Sequence, residues 1–486
     1  MENYVVCIPF PAQGHIRPML KLAQLLHFKF DFNVTFINTH HIHQTLFKNH
    51  HSSSGNNTHP FFRFESLPED DNLIDLFSVV NCIVINKLEL PLKDLLVTKL
   101  GNDNNGSRLR VSCMISDVAM SSFTLKVAEE LGIPAVLLET ASACSLLANF
   151  HCRQLLDKGI IPLQEKSCLT NGYLDKSIDW IPSLKGISLK DMPTFIRTTD
   201  PNDMMLNIVM LNAQIALDCR AILINTFDAL EQDVLEELST ISPTIYPIGP
   251  LNLMVDYHVS KNDTINIKST VICDQEDSIN VDYMKWLDSQ KPESVLYVSF
   301  GSLLEVDQET FIEVAWGLAN SLANFLWIVR SSQIIEDHTT LDFNQFKEEI
   351  KGRGMLIDWC DQEQVLAHRS IGGFLTHCGW NSTIENISYG VPMICLPLGA
   401  DQSINSWHCC NSLGIGMKIS EEVKRDGVQR VVKELMETKY GKEMGMRATK
   451  WRNIATKVTT CLHGSSKYDT LNKVVNDVLK NTNCSG

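Results

Sequence analysis

The stretch that most limits how this chain can fold lies just before residue 390. An apolar run, Ile371–Thr376, breaks at Gly379, and a helix-like pattern starts at Asn381. A strand that feeds a helix through a tight turn aims unpaired backbone N–H groups and the positive helix end at one spot, which suits a phosphate. His377, Asn381 and Ser382 add side-chain donors there, and Trp359 offers a flat face for a base. Asp401 and Gln402 follow a second apolar run, Val391–Pro397, and so also fall at a strand's C-terminal end. Ligands of an open α/β sheet collect along that edge. The stretch from Trp359 to Gln402 therefore suits a nucleotide carrying a polyol.

The same strand-then-helix alternation recurs in both halves. In the first, strands are expected at Val5–Pro9, Asn33–Asn38, Val111–Ser116 (ending in Asp117), Ala135–Leu138, Ala221–Asn225 and Ile245–Ile248. Helices are expected from near Pro18, a residue suited to a first turn, and over Ser121–Leu131. The second half restarts with Val295–Phe300, a Gly301-Ser302 turn and a helix over Asp307–Leu322 with Asp307 as N-cap. Further strands are expected at Phe325–Val329, Met355–Ile357, Ile371–Thr376 and Val391–Leu396. Alternation of this kind means parallel, doubly wound sheets. Residues 251–280 turn polar and lose periodicity, which marks a linker, and 486 residues exceed one compact core. Two Rossmann-like domains follow, residues 1–250 and 281–460, with a final segment, 461–486, after them.

Charge and cysteine content narrow the function. Fifty-seven acids against 42 bases give a net charge of −15, which argues against nucleic acid or an anionic membrane as partner. Fifteen cysteines, without a CxxC pair, read as reduced and mostly buried thiols of a cytoplasmic protein. The apolar run Tyr4–Ala12 is too short for a signal peptide, and no stretch approaches an integral membrane span. His40, His41, His43, His50 and His51 match no metal-ligand spacing and read as a polar loop, continued by the Ser/Asn/Gly/His tract at 50–59. No GxGxxG with a following acid, GxxxxGK[ST], GxSxG or HExxH is present, which disfavours nicotinamide dehydrogenases, P-loop enzymes, serine hydrolases and zincins.

Transfer of a sugar to an alcohol needs a base, an in-line nucleophile and stabilisation of the departing diphosphate. His15 is the candidate base, since imidazole titrates near neutrality and this one follows the first strand in a loop. Asp117 ends another strand of the same sheet and can fix the imidazole tautomer. The plainer alternative makes His15 a turn residue and Asp117 a strand-end cap. Likewise, Ser382 and Glu385 lie about 4.5 Å apart along one helix face. There they can hold phosphate and ribose hydroxyls, or they can form a capping box.

From Trp359 to Gln402 the chain reads WCDQEQVLAHRSIGGFLTHCGWNSTIENISYGVPMICLPLGADQ. This resembles the donor-binding signature of the plant UDP-dependent glycosyltransferases. PAQGHIRPM near the start and GSS near the end agree with it. The resemblance implies the GT-B fold, two Rossmann-like doubly wound α/β domains facing across a cleft, with the final segment crossing back onto the first domain. It implies an inverting transfer from UDP-glucose to a small hydroxylated metabolite, with His15 as base oriented by Asp117 and no metal or other cofactor required. Trp359 would stack uracil, with Cys360 beside it and Gln362 at the base edge. His377 and the backbone around Ser302 and Trp380–Ser382 would hold the diphosphate, and Glu385 the ribose. Asp401, Gln402, Thr140 and Trp380 would meet the sugar. The partners implied are a UDP-sugar and a small acceptor, acting on a monomer.

ISDVAM, GYLDKSIDWIP and FIRTTDPND resemble a subgroup acting on cyanohydrins, terpenols and iridoids. Arg17, Glu139 and Leu398-Gly399 depart from the family pattern. A carboxylate beside the active centre needs a partner, and Glu139 is expected to meet a polar acceptor or Arg153 unless it faces solvent. A sugar-nucleotide epimerase and a non-catalytic nucleotide-sugar sensor are the competing readings. The first needs no His15–Asp117 pair, and the intact site residues argue against the second.

Overall fold

The computed structural model describes residues 3–47, 62–67, 87–98, 111–242, 244–259, 283–301, 306–329, 343–420, 422–460 and 470–480. The chain divides into two compact units, residues 1–188, 195–272 and 458–486 in one, and residues 189–194 and 273–457 in the other.

The first unit holds a seven-stranded sheet. Its strands are β1 (Tyr4–Ile8), β2 (Asn33–Thr39), β3 (Phe62–Leu67), β4 (Cys113–Asp117), β5 (Ala135–Glu139), β6 (Ile222–Ile224) and β7 (Ile245–Pro247). Their order is β3-β2-β1-β4-β5-β6-β7, and every pairing is parallel. The order reverses direction between β1 and β4, and crevices that hold ligands open at such points. Val5, Cys7, Val34, Phe36, Ile115 and Leu138 face one core, shared with the helix Gln13–Phe28. Tyr4, Val6, Ile8 and Met114 face the opposite core.

Three expectations change here. The first helix begins at Gln13, not near Pro18, because the Ala12 carbonyl accepts from both His15 N and Ile16 N at 2.9 Å and starts the turn early. Pro18 thus sits inside the helix, and His15 is in its first turn rather than in a loop. Residues 40–47 form a helix instead of a polar loop, with His40 Nε2 2.7 Å from Gln44 Nε2 one turn on. No metal-ligand group among the described residues includes His40, His41 or His43. The expected linker also starts too early. Leu251–His258 is a helix whose Leu251, Met254 and Val255 lie in the first core, so its apolar spacing outweighs the polar composition downstream. Residues 48–61 and 260–282, which include the 50–59 tract and the rest of that linker, lie outside the described residues. Leu471, Val474, Val475, Val478 and Leu479 join the same core from the C-terminal segment.

The second unit has six strands, β8 (Val295–Ser299), β9 (Asn324–Ile328), β10 (Gly354–Ile357), β11 (Ile371–Thr376), β12 (Met393–Cys395) and β13 (Gly416–Lys418). Their order is β10-β9-β8-β11-β12-β13, all parallel, and it reverses between β8 and β11. Asp307 caps the helix Gln308–Ser321 by accepting from Thr310 N at 2.9 Å. That helix packs against Arg425–Glu437 so closely that a Cβ on Gly317 would stand 2.5 Å from Val428 Cβ. Gly317→Ala is therefore expected to destabilise this unit by about 1–3 kcal/mol, the usual cost of overpacking. Calorimetry that returned an unchanged transition would refute the contact.

Eleven cysteines among the described residues are free thiols, and ten of them are buried. No helix of the described residues is long and apolar enough to cross a membrane.

Candidate active site

In both sheets the candidate site residues end or follow strands at the C-terminal edge. In the first unit, β1 and β4 lie in register with Ile8 opposite Ser116, so the turn after β1 runs alongside Asp117. His15 Nδ1 lies 2.8 Å from Asp117 Oδ2. Asp117 is 1% exposed, and its other oxygen accepts from Ala119 N at 2.9 Å, so the carboxylate cannot swing away. Its position as a strand-end cap and its bond to His15 are compatible, one oxygen serving each. A carboxylate accepts only, so Nδ1 carries the proton and the lone pair falls on Nε2. The ring is also held by Phe10, with centroids 4.9 Å apart. Thr140, expected at the sugar, has its Oγ1 2.8 Å from His15 Nδ1 and so belongs to the group around the imidazole.

Glu139 is buried rather than solvent-facing, and its Oε1 accepts from Ala141 N at 2.9 Å. Arg153 does not reach it. That guanidinium pairs with Asp157 at 3.0 Å on the exposed face of its own helix, the geometry that an i,i+4 pair favours.

In the second unit, β8 and β11 pair with Ser299 opposite Thr376, and the two following turns meet over His377. A Cβ on Gly301 or on Gly379 would lie 2.5 Å from His377 Nε2. The imidazole is thus seated between two backbones that only glycine allows to approach. Gly301 has φ +74, Cys378 has φ +65, and Cys378 N donates to Thr376 Oγ1 at 3.2 Å to close the turn. The helix Trp380–Tyr389 then starts with Gly379 as N-cap and no side-chain cap. Ser382 is its third residue, so the capping-box alternative for Ser382 and Glu385 does not form. No side chain caps the start of this helix, and a helix N-terminus of this kind suits an anion.

Trp359 is half-buried in the loop after β10. Gln362, Ser382 and Glu385 converge. Gln362 Nε2 donates to Ser382 Oγ at 3.0 Å and to Glu385 Oε2 at 2.8 Å, and its Oε1 accepts from Tyr297 Oη at 3.2 Å. Burial, with Cys360 nearby, raises the Tyr297 phenol well above its ordinary range, so it stays protonated and donates. Both ends of the Gln362 amide are engaged within the protein, and a role at the uracil edge requires it to exchange these partners. The Cys360 thiol packs in the core 3.4 Å from Tyr297 Oη, and the Trp380 side chain is also buried. Asp401 Oδ2 accepts from Asn405 Nδ2 at 2.9 Å, and the same amide donates to Cys378 O at 3.0 Å, tying the Asp401 turn to the His377 turn. Gln402 Oε1 accepts from Leu398 N and Gly399 N at 2.8 and 3.1 Å. Ser302 lies outside the described residues. Tyr297 and Asn405 escaped the sequence reading. Tyr297 is one buried aromatic within an apolar strand, and Asn405 sits in a helix turn without a distinguishing neighbour.

Comparison with known proteins shows what the chain is similar to. Residues 207–453 match the profile described as UDP-glucoronosyl and UDP-glucosyl transferase. The chain is 45% identical over 480 residues to 7-deoxyloganetin glucosyltransferase of Catharanthus roseus, covering 98% of this chain and 96% of that protein. It is 43% identical over 483 residues to (R)-mandelonitrile beta-glucosyltransferase of Prunus dulcis, with 98% and 97% covered. Among solved structures it resembles Phytolacca americana UGT2 complexed with UDP-2fluoro-glucose and pterostilbene. That match has a TM-score of 0.74 at 28% identity, covering 98% of this chain and 99% of that one.

Proposed function

Since the chain belongs to the UDP-glucoronosyl and UDP-glucosyl transferase family, we propose that it transfers glucose from UDP-glucose to a hydroxyl of a small plant metabolite, with inversion. The observation that carries this reading is the His15–Asp117 pair at 2.8 Å on the strand-order reversal of the first sheet. His15 Nε2 takes the acceptor's hydroxyl proton while the oxygen attacks the anomeric carbon. The bond from that carbon to the β-phosphate oxygen breaks, and UDP leaves with the electron pair. Asp117 stabilises the imidazolium that forms, and Thr140 helps to hold the ring. Because attack and departure occur on opposite faces, an α-linked donor gives a β-glucoside.

On the second unit, Trp359 stacks the uracil and Glu385 accepts from the ribose. His377, the first turn of the helix Trp380–Tyr389 and Ser302 meet the diphosphate as its charge rises. Asp401 and Gln402 take the glucose hydroxyls. These groups supply the stabilisation of the leaving group in this reading, so added chelator is expected to leave the rate unchanged. The enzyme acts as a cytoplasmic monomer.

Two relatives are named for 7-deoxyloganetin and (R)-mandelonitrile, both small molecules. That supports a compact terpenoid, iridoid, cyanohydrin or phenolic acceptor. The test is UDP release from UDP-glucose with and without a panel of such alcohols. Release that depends on the alcohol, with a glucoside detected by mass spectrometry, is expected. Tight UDP-glucose binding without turnover on any alcohol would favour the sensor, and conversion of the free nucleotide sugar would favour an epimerase.

A further inference from the structure

Six residues of the chain's first half, Leu189–Thr194, group with the second unit, although the residues on either side of them belong to the first. The last of them, Thr194, contacts the turn that carries Asp401 and Gln402. Thr194 N donates to Ala400 O at 2.9 Å, and Ala400 N donates to Thr194 Oγ1 at 2.8 Å. One residue thus occupies both backbone polar groups of Ala400. That matters because Ala400 has φ +53, a left-handed conformation that residues bearing a Cβ avoid unless their surroundings hold them there. The segment is itself anchored. Asp191, 7% exposed, accepts from Lys418 Nζ at 3.1 Å, and Met192 is fully buried.

The neighbouring bonds show what the clamp controls. Leu398 N and Gly399 N both donate to Gln402 Oε1, which fixes the orientation of an amide that is 6% exposed. Nε2 is then the donor end of that side chain, and it has no hydrogen-bond partner among the described residues. Release of Ala400 would let the 398–400 backbone relax from its left-handed turn, and the two N–H groups that aim Gln402 would move with it.

We propose that Thr194 is a positioning residue for donor-sugar selection, acting through Ala400 on the orientation of Gln402. The inference rests on the assignment of Asp401 and Gln402 to the glucosyl group made above. It predicts an effect that follows the sugar and not the nucleotide.

The experiment compares Thr194→Val, Thr194→Ser and Gln402→Ala by three readouts: kcat/KM for UDP-glucose, the UDP-glucose to UDP-galactose rate ratio, and inhibition by UDP. Valine keeps the branched shape and loses the oxygen. It is expected to lower kcat/KM for UDP-glucose about ten-fold, the scale of one lost hydrogen bond, and to narrow the sugar ratio. Inhibition by UDP should not change, and serine should restore both donor readouts. If Gln402→Ala alters the sugar ratio and Thr194→Val does not, the clamp is wrong while the sugar assignment stands. If neither alters it, the sugar assignment fails and the inference with it. A parallel loss of UDP and UDP-glucose affinity in Thr194→Val also overturns the inference, as it indicates general damage to the unit. If valine prevents folding, Thr194→Ser with wild-type Tm and an altered sugar ratio would overturn it too, because serine keeps the acceptor.

Discussion

His15→Ala is expected to lower kcat by about 10²–10⁴-fold, the contribution of a positioned general base, while UDP inhibits as before. The expectation comes from how completely the imidazole is specified. Asp117 is immobilised by Ala119 N on one oxygen and meets His15 Nδ1 with the other. The Asp117 carboxylate that remains is 1% exposed and already accepts from Ala119 N, which makes it a poor substitute. Asp117→Asn offers a sharper version. If the amide oxygen keeps the Ala119 bond, the NH₂ group faces Nδ1 and forces the proton onto Nε2, the wrong nitrogen for a base. A loss of similar order is therefore expected with the fold intact. Thr140→Ala should cost far less, because one shared hydrogen bond is worth about 0.5–1.5 kcal/mol. An alanine variant at His15 with near-wild-type kcat would remove the mechanism proposed above.

The second large effect concerns Gly379. A methyl group there would overlap His377 Nε2, 2.5 Å away, and displace the ring from the place proposed for it at the diphosphate. Removing one donor to developing charge typically costs about 10²–10³ in kcat, and Gly379→Ala is expected to fall in that range. The position isolates the effect, because Gly379 has φ −60, which alanine adopts without strain. Gly301→Ala should do at least as much damage, since it adds φ +74 to the same overlap. Gly352 is the control. Its φ is +82 with nothing within 4 Å, so Gly352→Ala should cost about 1 kcal/mol of stability and no activity. Equal activity in the Gly379 and Gly352 variants would mean that His377 does not touch the leaving group.

Central strands were legible in the sequence because they are buried on both faces and read as unbroken apolar runs; β11 matches its expected span from end to end. The edge strands β3 and β13 were not. In β3 only Phe62 and Leu67 are buried, and β13 reads Gly-Met-Lys with only the glycine buried, so neither leaves an apolar pattern to read. Strand-end reasoning places His15 and Asp117 at one sheet edge across 102 positions, and the fold brings their side chains into contact. It could not show that Gln362 brackets Ser382 and Glu385, because the partners of an amide depend on side-chain direction. Thr194 is beyond any such reasoning. It lies 206 positions from Ala400, and no local pattern connects a short irregular segment to a distant turn.

The C-terminal segment has a consequence for biogenesis. Leu471, Val474, Val475, Val478 and Leu479 complete the apolar layer that also contains Val5, Phe36 and Leu138. During synthesis this layer stays open to water until residues 471–479 have left the ribosome. The half that is made first thus finishes folding last, and nascent chains arrested upstream of Leu471 should depend on chaperones.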